Sequence, residues 1–389
     1  MPSIKVFNGD RLRTARIYRG KTIAELAEEV SVTKQAISQF ENGKSPGLET
    51  LLRLINALGF PREYFFEEDK DQIKIGNTYF RALLTTNKKD RLSQIEKTKM
   101  VARIYHFLNK YVDFPKLNLP DRNFTTSDIE HIASLVRNYW GLGNEPISNM
   151  VRLLEKNGFV VTSFNTGRDN VDAFSQRQEV NGSEYYFVVL GEDKNSATRR
   201  QFNAAHELGH ILLHDWSQDL ELVSRDEFRQ MENEANQFAA ALLLPRESFV
   251  NDLIYPSKLD YYIELKKKWK VSIAAMIVRA YQLKVINYNQ YQYLMRQISK
   301  NGWRTKEPLD NEIQVPKPSV LRKAIDILIT NNVLSGEQIV QQLAKNNNLS
   351  LNSSEVEILL GLEEGALINK NKGSLVVSIK KNQVLSDNE

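Results

Sequence analysis

The ten residues "AHELGHILLH", Ala205 to His214, hold three of the chain's five histidines, and an acid directly follows the first. In an α-helix, residues four apart lie on one face, separated by about 6 Å along the axis. His206 and His210 therefore aim two imidazoles at one point, as the H-E-x-x-H pattern of a metal centre requires. Glu207 sits one position round the helix, where it can hold a water at the metal without joining the ligand set. A catalytic zinc takes three protein ligands and keeps a position for water, whose pKa falls towards about 7. The adjacent carboxylate can then take the water's proton and pass it to a leaving amine.

The third ligand must come from elsewhere. On a continuous helix His214 lies about 12 Å along the axis from His206, and one ion with bonds of about 2 Å cannot hold both ends. His214 is therefore placed outside the ligand set, partly exposed or supporting a ligand. "MENEANQFAAALLLP" offers a better candidate, because a helix there presents Glu232, Ala235, Asn236, Ala239 and Leu243 along one face. Glu232 can bind the metal while Asn236 hydrogen-bonds a ligand imidazole and fixes its tautomer. Glu234 is the rival ligand, but it points roughly 160° away from Glu232. The small residues Ala235, Ala239 and Ala240 let the two helices approach closely.

Composition narrows the setting. A chain of 389 residues is too long for one ordinary core, so two or three domains are expected. Hydrophobic residues at 41% and charged residues at 26% describe a soluble globular protein. The net charge is only +4, so any nucleic-acid footprint must be local. The absence of cysteine removes disulfides, thiolate metal sites and cysteine nucleophiles, and it fits a reducing compartment. No signal core opens the chain, and no run approaches the roughly 18 apolar residues of a membrane span. A cytoplasmic protein without a membrane partner is expected.

The patterning predicts an α+β fold, mainly α. Residues 1–68 read as a bundle of four or five short helices, with Thr22 as an N-cap and Gly43 as a stop. Residues 69–122 read as a charged linker followed by a connecting helix of about 25 residues. Residues 123–290 open with two amphipathic helices. "FVVTSFN", "DAFSQRQEV" and "EYYFVVLG" then favour strands of a small antiparallel sheet, separated by "TGRDN" and "NGS" turns. The two helices of the metal pattern follow. Residues 291–389 read as a helical region of unknown role with a polar tail, its helix expected to dock on the metal domain.

In the first segment, the second and third helices have the spacing of a helix-turn-helix, whose later helix enters the major groove by its N-terminal end. Lys34, Gln35, Ser38 and Gln39 would project there, where glutamine can read adenine and lysine can reach guanine or phosphate. Arg11, Arg13, Arg16, Arg19, Lys21 and Lys44 concentrate positive charge nearby, so binding by one copy should be modest and salt-sensitive.

Two resemblances sharpen these readings. "RRQFNAAHELGHILLH" with "ENEANQFAAALLLP", and the lead-in "LVRNYWGLGNEPISNMVRLLEKNGFVV", resemble the ImmA/IrrE family of zinc metallopeptidases over roughly Asp128 to Leu283. The resemblance implies a gluzincin-like site with His206, His210 and Glu232 as zinc ligands and Glu207 as general base. The substrate it implies is a helix-turn-helix repressor, cut to release a stress, prophage or mobile-element programme. "IAELAEEVSVTKQAISQFENGKSPGLETLLRLINALG" resembles the phage-repressor (XRE) helix-turn-helix family. That implies base reading by Lys34, Gln35 and Gln39, a phosphate contact at Asn42, and a structural Arg16–Glu41 ion pair. Ser31 departs from the pattern, since a turn glycine is frequent there.

Together these readings describe a double-stranded-DNA-binding regulator carrying a zinc endopeptidase, its protein substrate held near by tethering on the operator. A homodimer is an expectation too, because such readers often pair on two-fold sites. The alternative is a DNA-binding regulator whose peptidase-like domain senses a ligand or partner without cutting, within a toxin–antitoxin pair among other settings.

Overall fold

A computed structural model describes residues 6–80, 87–122, 124, 128–164, 172–192, 196–215 and 223–368. Helices α1 (Gly9–Tyr18), α2 (Ile23–Glu29), α3 (Lys34–Glu41) and α4 (Leu48–Leu58) are followed by a 3-10 turn, Arg62–Phe66. Local chemistry sets these ends. Thr22 and Glu25 form a reciprocal capping box at α2, and Thr33 caps α3. Ser31, in the turn between them, has φ 54°, the left-handed conformation that favours glycine. Arg16 grips Glu41 through two bonds of 2.5 and 2.9 Å, tying α1 to the end of α3.

The segment read from sequence as a charged linker contains a strand, β1 (Ile73–Phe80). Helix α5 follows, over Lys88–Leu108, with Asn87 as its cap. It starts four residues before Leu92, where the expected helix began, and it is shorter than the expected one. Next come α6 (Ile129–Tyr139), α7 (Met150–Lys156), β2 (Val160–Phe164), β3 (Ala173–Val180) and β4 (Ser183–Gly191). The strands form one sheet in the order β1-β3-β4-β2. The expected antiparallel sheet is thus corrected to a mixed one, because β2 pairs parallel with β4. The cause is topological. Asn181 and Gly182, both at positive φ, close the β3–β4 hairpin, so β2 must reach the far side of β4. The "TGRDN" turn lies outside the described residues.

Helices α8 (Ala197–Leu213), α9 (Arg225–Leu243), α10 (Arg246–Asp252), α11 (Tyr261–Trp269), α12 (Ile273–Gln282) and α13 (Tyr288–Lys300) cover one face of the sheet side of the molecule. The chain then returns through α14 (Val320–Thr330), α15 (Gly336–Asn347) and α16 (Ser353–Leu360). Among the described residues, no helix is long and apolar enough to cross a membrane.

The sheet is a wall between two cores. Along β4, Tyr186, Val188 and Leu190 join the core of α6–α13, while Phe187 and Val189 join the opposite core. Burial on both sides explains why "YYFVVL" shows no polar alternation. The second core combines α5, the N-terminal bundle and α14–α16. The C-terminal helices therefore dock on the metal domain, on the sheet face opposite α8, and Glu155 of α7 accepts from the backbone N–H groups of Ser319 and Val320. Thr162 of β2 donates to the Leu359 carbonyl at 2.9 Å. Arg11 and Arg103 donate to the Asn348 and Asn347 carbonyls, and Glu67 accepts from Ser350.

Glu355 of α16 sits at the centre of this seam. It accepts from the Tyr18 hydroxyl and, at 2.6 Å, from Arg19. Burial and then the Glu355 charge raise the Tyr18 pKa well above its ordinary value, so the phenol stays a donor. Removing the carboxylate strands a buried hydroxyl. Glu355→Ala should therefore cost about 2 kcal/mol of stability, read as a lower urea midpoint of the full chain with an unchanged transition slope.

Candidate metal centre

Ser196 caps α8, whose residues from Asn203 to Leu212 are all buried. A helix with few exposed positions must match its neighbours closely, and Gly209 shows how. A Cβ placed there would lie 3.1 Å from the Ala235 Cα and 3.2 Å from the Ala235 carbonyl oxygen. The two helix backbones thus meet at Gly209 and Ala235, with the edge of the Phe238 ring beside the contact. That close approach carries Glu232, one turn before Ala235, to the paired rings of α8.

The His206 and His210 Nε2 atoms lie 3.0 Å apart. Glu232 Oε1 lies 3.1 Å from His210 Nε2, and Oε2 lies 3.5 Å from His206 Nε2. Ligand atoms from these three side chains all fall within 4.8 Å of one another. Tetrahedral bonds of about 2.0–2.1 Å place ligand atoms about 3.3 Å apart, so the spacing suits one small ion.

Hydrogen bonds behind the rings give the same answer. His206 Nδ1 donates to Asn236 Oδ1 at 3.1 Å. His210 Nδ1 lies 2.9 Å from His214 Nδ1, and His214 Nε2 lies 3.2 Å from Glu234 Oε2. One placement of protons satisfies this chain: His214 donates to Glu234, and His210 donates to His214. Both Nε2 atoms of the pair then present lone pairs to the same buried space as a carboxylate. Such a set of acceptors calls for a cation.

The charges agree. Burial works to raise the Glu232 pKa, but hydrogen bonds and charge from His206 and His210, when those rings carry a proton on Nε2, outweigh it and hold it at about 2. With the rings neutral, a cation in the same place would do the work of those protons. Burial and the nearby His210 push His214 down to about 4, against the opposing pull of Glu234, so this ring is neutral at pH 7. Glu207 is buried beside the pair, and its Oε2 accepts from the Ser175 hydroxyl of β3 at 2.7 Å.

The structure thus brings together His206, Glu207, His210, Glu232 and Asn236, five residues singled out from the sequence. Of the two places expected for His214, partly exposed or behind a ligand, it takes the second: it is buried against His210 and paired with Glu234, the residue considered as a rival ligand. Sequence reasoning missed that pairing, although both residues stood on the two helices already under scrutiny. It also missed Ser175, for which no local signal exists, since only the packing of β3 on α8 brings it to Glu207. A cleft of about 1360 Å³ opens beside the centre, lined among others by Arg199, Phe202, Asn203, Asn236, Ala275 and Trp303.

The other sequence-derived group lies on α3. Lys34, Gln35, Gln39 and Asn42 are exposed, and Ser38 is half-buried. Asn42 donates to the Ser38 carbonyl at 2.8 Å and Lys44 to Gln39 Oε1 at 3.1 Å. Ile37 and Phe40, on the other side of α3, are buried in the bundle. The polar face is therefore free to meet a partner.

Comparison with known families agrees with both halves of this description. Residues 154–281 match the model of the IrrE N-terminal-like domain, the M78 peptidase family. Residues 12–65 match a helix-turn-helix model. The chain joins a helix-turn-helix domain of the DNA-binding XRE type to a peptidase-type domain of the ImmA/IrrE class.

Partners behind metal ligands fix ring orientation, and their loss typically costs 10–100-fold in metal affinity. Asn236→Ala should weaken metal binding by about that factor, measured by competition against a chromophoric chelator, with the helical circular dichroism unchanged.

Proposed function

We propose that this protein is a DNA-binding regulator with a zinc-dependent endopeptidase site, and that it cuts a helix-turn-helix repressor-type protein. One observation carries the reading: a buried carboxylate, Glu207, lies beside the convergent His206, His210 and Glu232 without being one of the three. A structural site would want a fourth protein ligand, and Glu207 would have no purpose there.

His206, His210 and Glu232 would hold the ion, and two imidazoles with one carboxylate suit zinc. When bound, zinc supplies Lewis acidity and lowers the pKa of water. Glu207 takes the proton as the water oxygen bonds to the scissile carbonyl carbon. It then returns that proton to the amine nitrogen as the carbon–nitrogen bond breaks. Ser175, donating to Glu207 Oε2, keeps the other carboxylate oxygen turned to this work. A cleft of about 1360 Å³ reaches Asn236, behind His206, and has room for a polypeptide segment, although His206, Glu207, His210 and Glu232 do not themselves line it.

Lys34, Gln35, Ser38 and Gln39 would read base edges from the start of α3, with Asn42 at the phosphate backbone. The resemblance to ImmA/IrrE proteins supports a repressor as substrate and a stress, prophage or mobile-element response as the setting. A second reading, a regulator whose metal domain senses rather than cuts, is favoured by a separate observation. The DNA-reading bundle shares a core with the sheet that covers the metal domain, so a change on one side can reach the other.

Two variants separate the readings. Glu207→Gln should retain metal and DNA binding but lose hydrolysis of a repressor substrate by several orders of magnitude. If regulation in cells survives that change, cutting is not the function. Lys34→Ala with Gln35→Ala should weaken operator binding by roughly 2–4 kcal/mol in a gel-shift titration at fixed salt, with hydrolysis unchanged.

A further inference from the structure

Three of the four strands of the sheet lie within the IrrE-like match, and β1 does not. Strands β2, β3 and β4 all fall within residues 154–281, whereas β1 comes from residues 73–80, in the connection from the DNA-reading bundle. Without β1, the outer edge of β3 would carry unpaired backbone N–H and C=O groups, a template for an added strand. This edge lies on the strand that supports the catalytic carboxylate, since Ser175 of β3 donates to Glu207.

The geometry points to β1 as an internal occupant of the edge on which an extended segment of the protein substrate would dock, so that cutting requires its outer half to leave. The inference rests on the peptidase reading above and names how that site takes its substrate.

The register divides β1 into two halves. The β3–β4 ladder runs unbroken from Ala173 opposite Leu190 to Val180 opposite Ser183. The β1–β3 ladder instead slips between Ile75 and Thr78, next to Gly76 and Asn77, two residues poorly suited to strands. Before that slip β1 is anchored. Asn181 exchanges bonds with Gln72, Lys74 pairs with Glu179 at 2.9 Å, and Asp71 with Asp69 is held by Arg103. Beyond it, Thr78 accepts a hydrogen bond of 2.6 Å from Gln176.

The half beyond the slip is also the half at the site. Tyr79 stands opposite Ser175 and Phe80 opposite Phe174 in the antiparallel register. A substrate segment replacing Thr78–Phe80 would place its backbone beside the residue that holds Glu207. Main-chain bonds to β3 would supply affinity with little demand on sequence. Because β1 is part of the same chain, it competes at an effective concentration in the millimolar range. A substrate at micromolar concentration would not displace it unaided, so release of β1 sets when the site opens.

The first test does not depend on catalysis. A fluorescein-labelled peptide with the β1 sequence, IKIGNTYF, is titrated into the full chain and into its Thr78→Pro variant, both metal-free, with anisotropy as readout. Proline removes a backbone donor and clashes with the ladder. The variant should bind the peptide at least about tenfold more tightly than the unaltered chain. Equal affinity in both, or no binding to a folded variant, overturns the inference.

The second test locks the strand and decides the matter if Thr78→Pro does not fold. The chain has no cysteine, so Thr78→Cys with Gln176→Cys creates one disulfide across a register pair, at a spacing that such a bond can span. Oxidation should lower repressor hydrolysis at least about tenfold, and reduction should restore it. Unchanged hydrolysis in the oxidised protein overturns the inference while leaving the peptidase reading intact. If no form of the chain hydrolyses a repressor, the peptidase reading fails, and the anisotropy result still decides whether β1 covers a peptide-docking edge.

Discussion

The contact of two helix backbones at Gly209 and Ala235 sets the scale on which the metal centre is built. Even a methyl group at Gly209 would press on the Ala235 backbone at 3.1 Å and push α8 from α9 by a few tenths of an ångström, and a larger side chain would move Glu232 further from the paired imidazoles. With the helices touching, ligands from separate helices meet within a few ångströms, and Asn236, one turn beyond Glu232, falls behind His206. The spacing of His206, His210 and Glu232 is thus a consequence of how closely the helices can approach.

The sheet extends this logic outward. Its α8 face delivers Ser175 to Glu207, and its other face receives α5, the N-terminal bundle and α14–α16. The DNA-reading bundle is therefore not hung from the peptidase domain on a loose tether. It shares a core with the far side of the sheet, and Glu355 joins that core to α1 through Tyr18 and Arg19. A buried carboxylate with two donors is costly to separate, which favours concerted over independent movement of the two sides.

Much of the centre is legible in the sequence. The spacing of His206 and His210, the Glu232–Asn236 interval and the helical identity of both segments follow from a period of 3.6 residues. The cap at Thr22 and the Asn181–Gly182 turn are equally local, and the sequence displayed them. What stayed hidden shared one property: it paired residues far apart in the chain. Ser175 with Glu207, Tyr18 with Glu355 and β1 with β3 leave no trace in spacing or periodicity. β1 was hardest to see, because Gly76, Asn77 and the charged flanks read as connection, and only the free edge of β3 makes a strand of them. The mixed sheet escaped for a related reason, since the order of strands in a sheet is not their order in the chain.

The sequence by itself determined the chemistry available here, namely two imidazoles and a neighbouring carboxylate on one helix, an acid and an amide on another, and a polar face on a capped helix near the start. These are short-range properties fixed by helix geometry and side-chain type. Tertiary structure alone decided that His214 supports the centre through Glu234, that a strand from the connection covers the β3 edge, and that the last helices clasp the first. Those outcomes depend on which buried surfaces find each other. That selection is made by the packing of the whole chain, where complementary shape and satisfied polar groups outweigh any local preference.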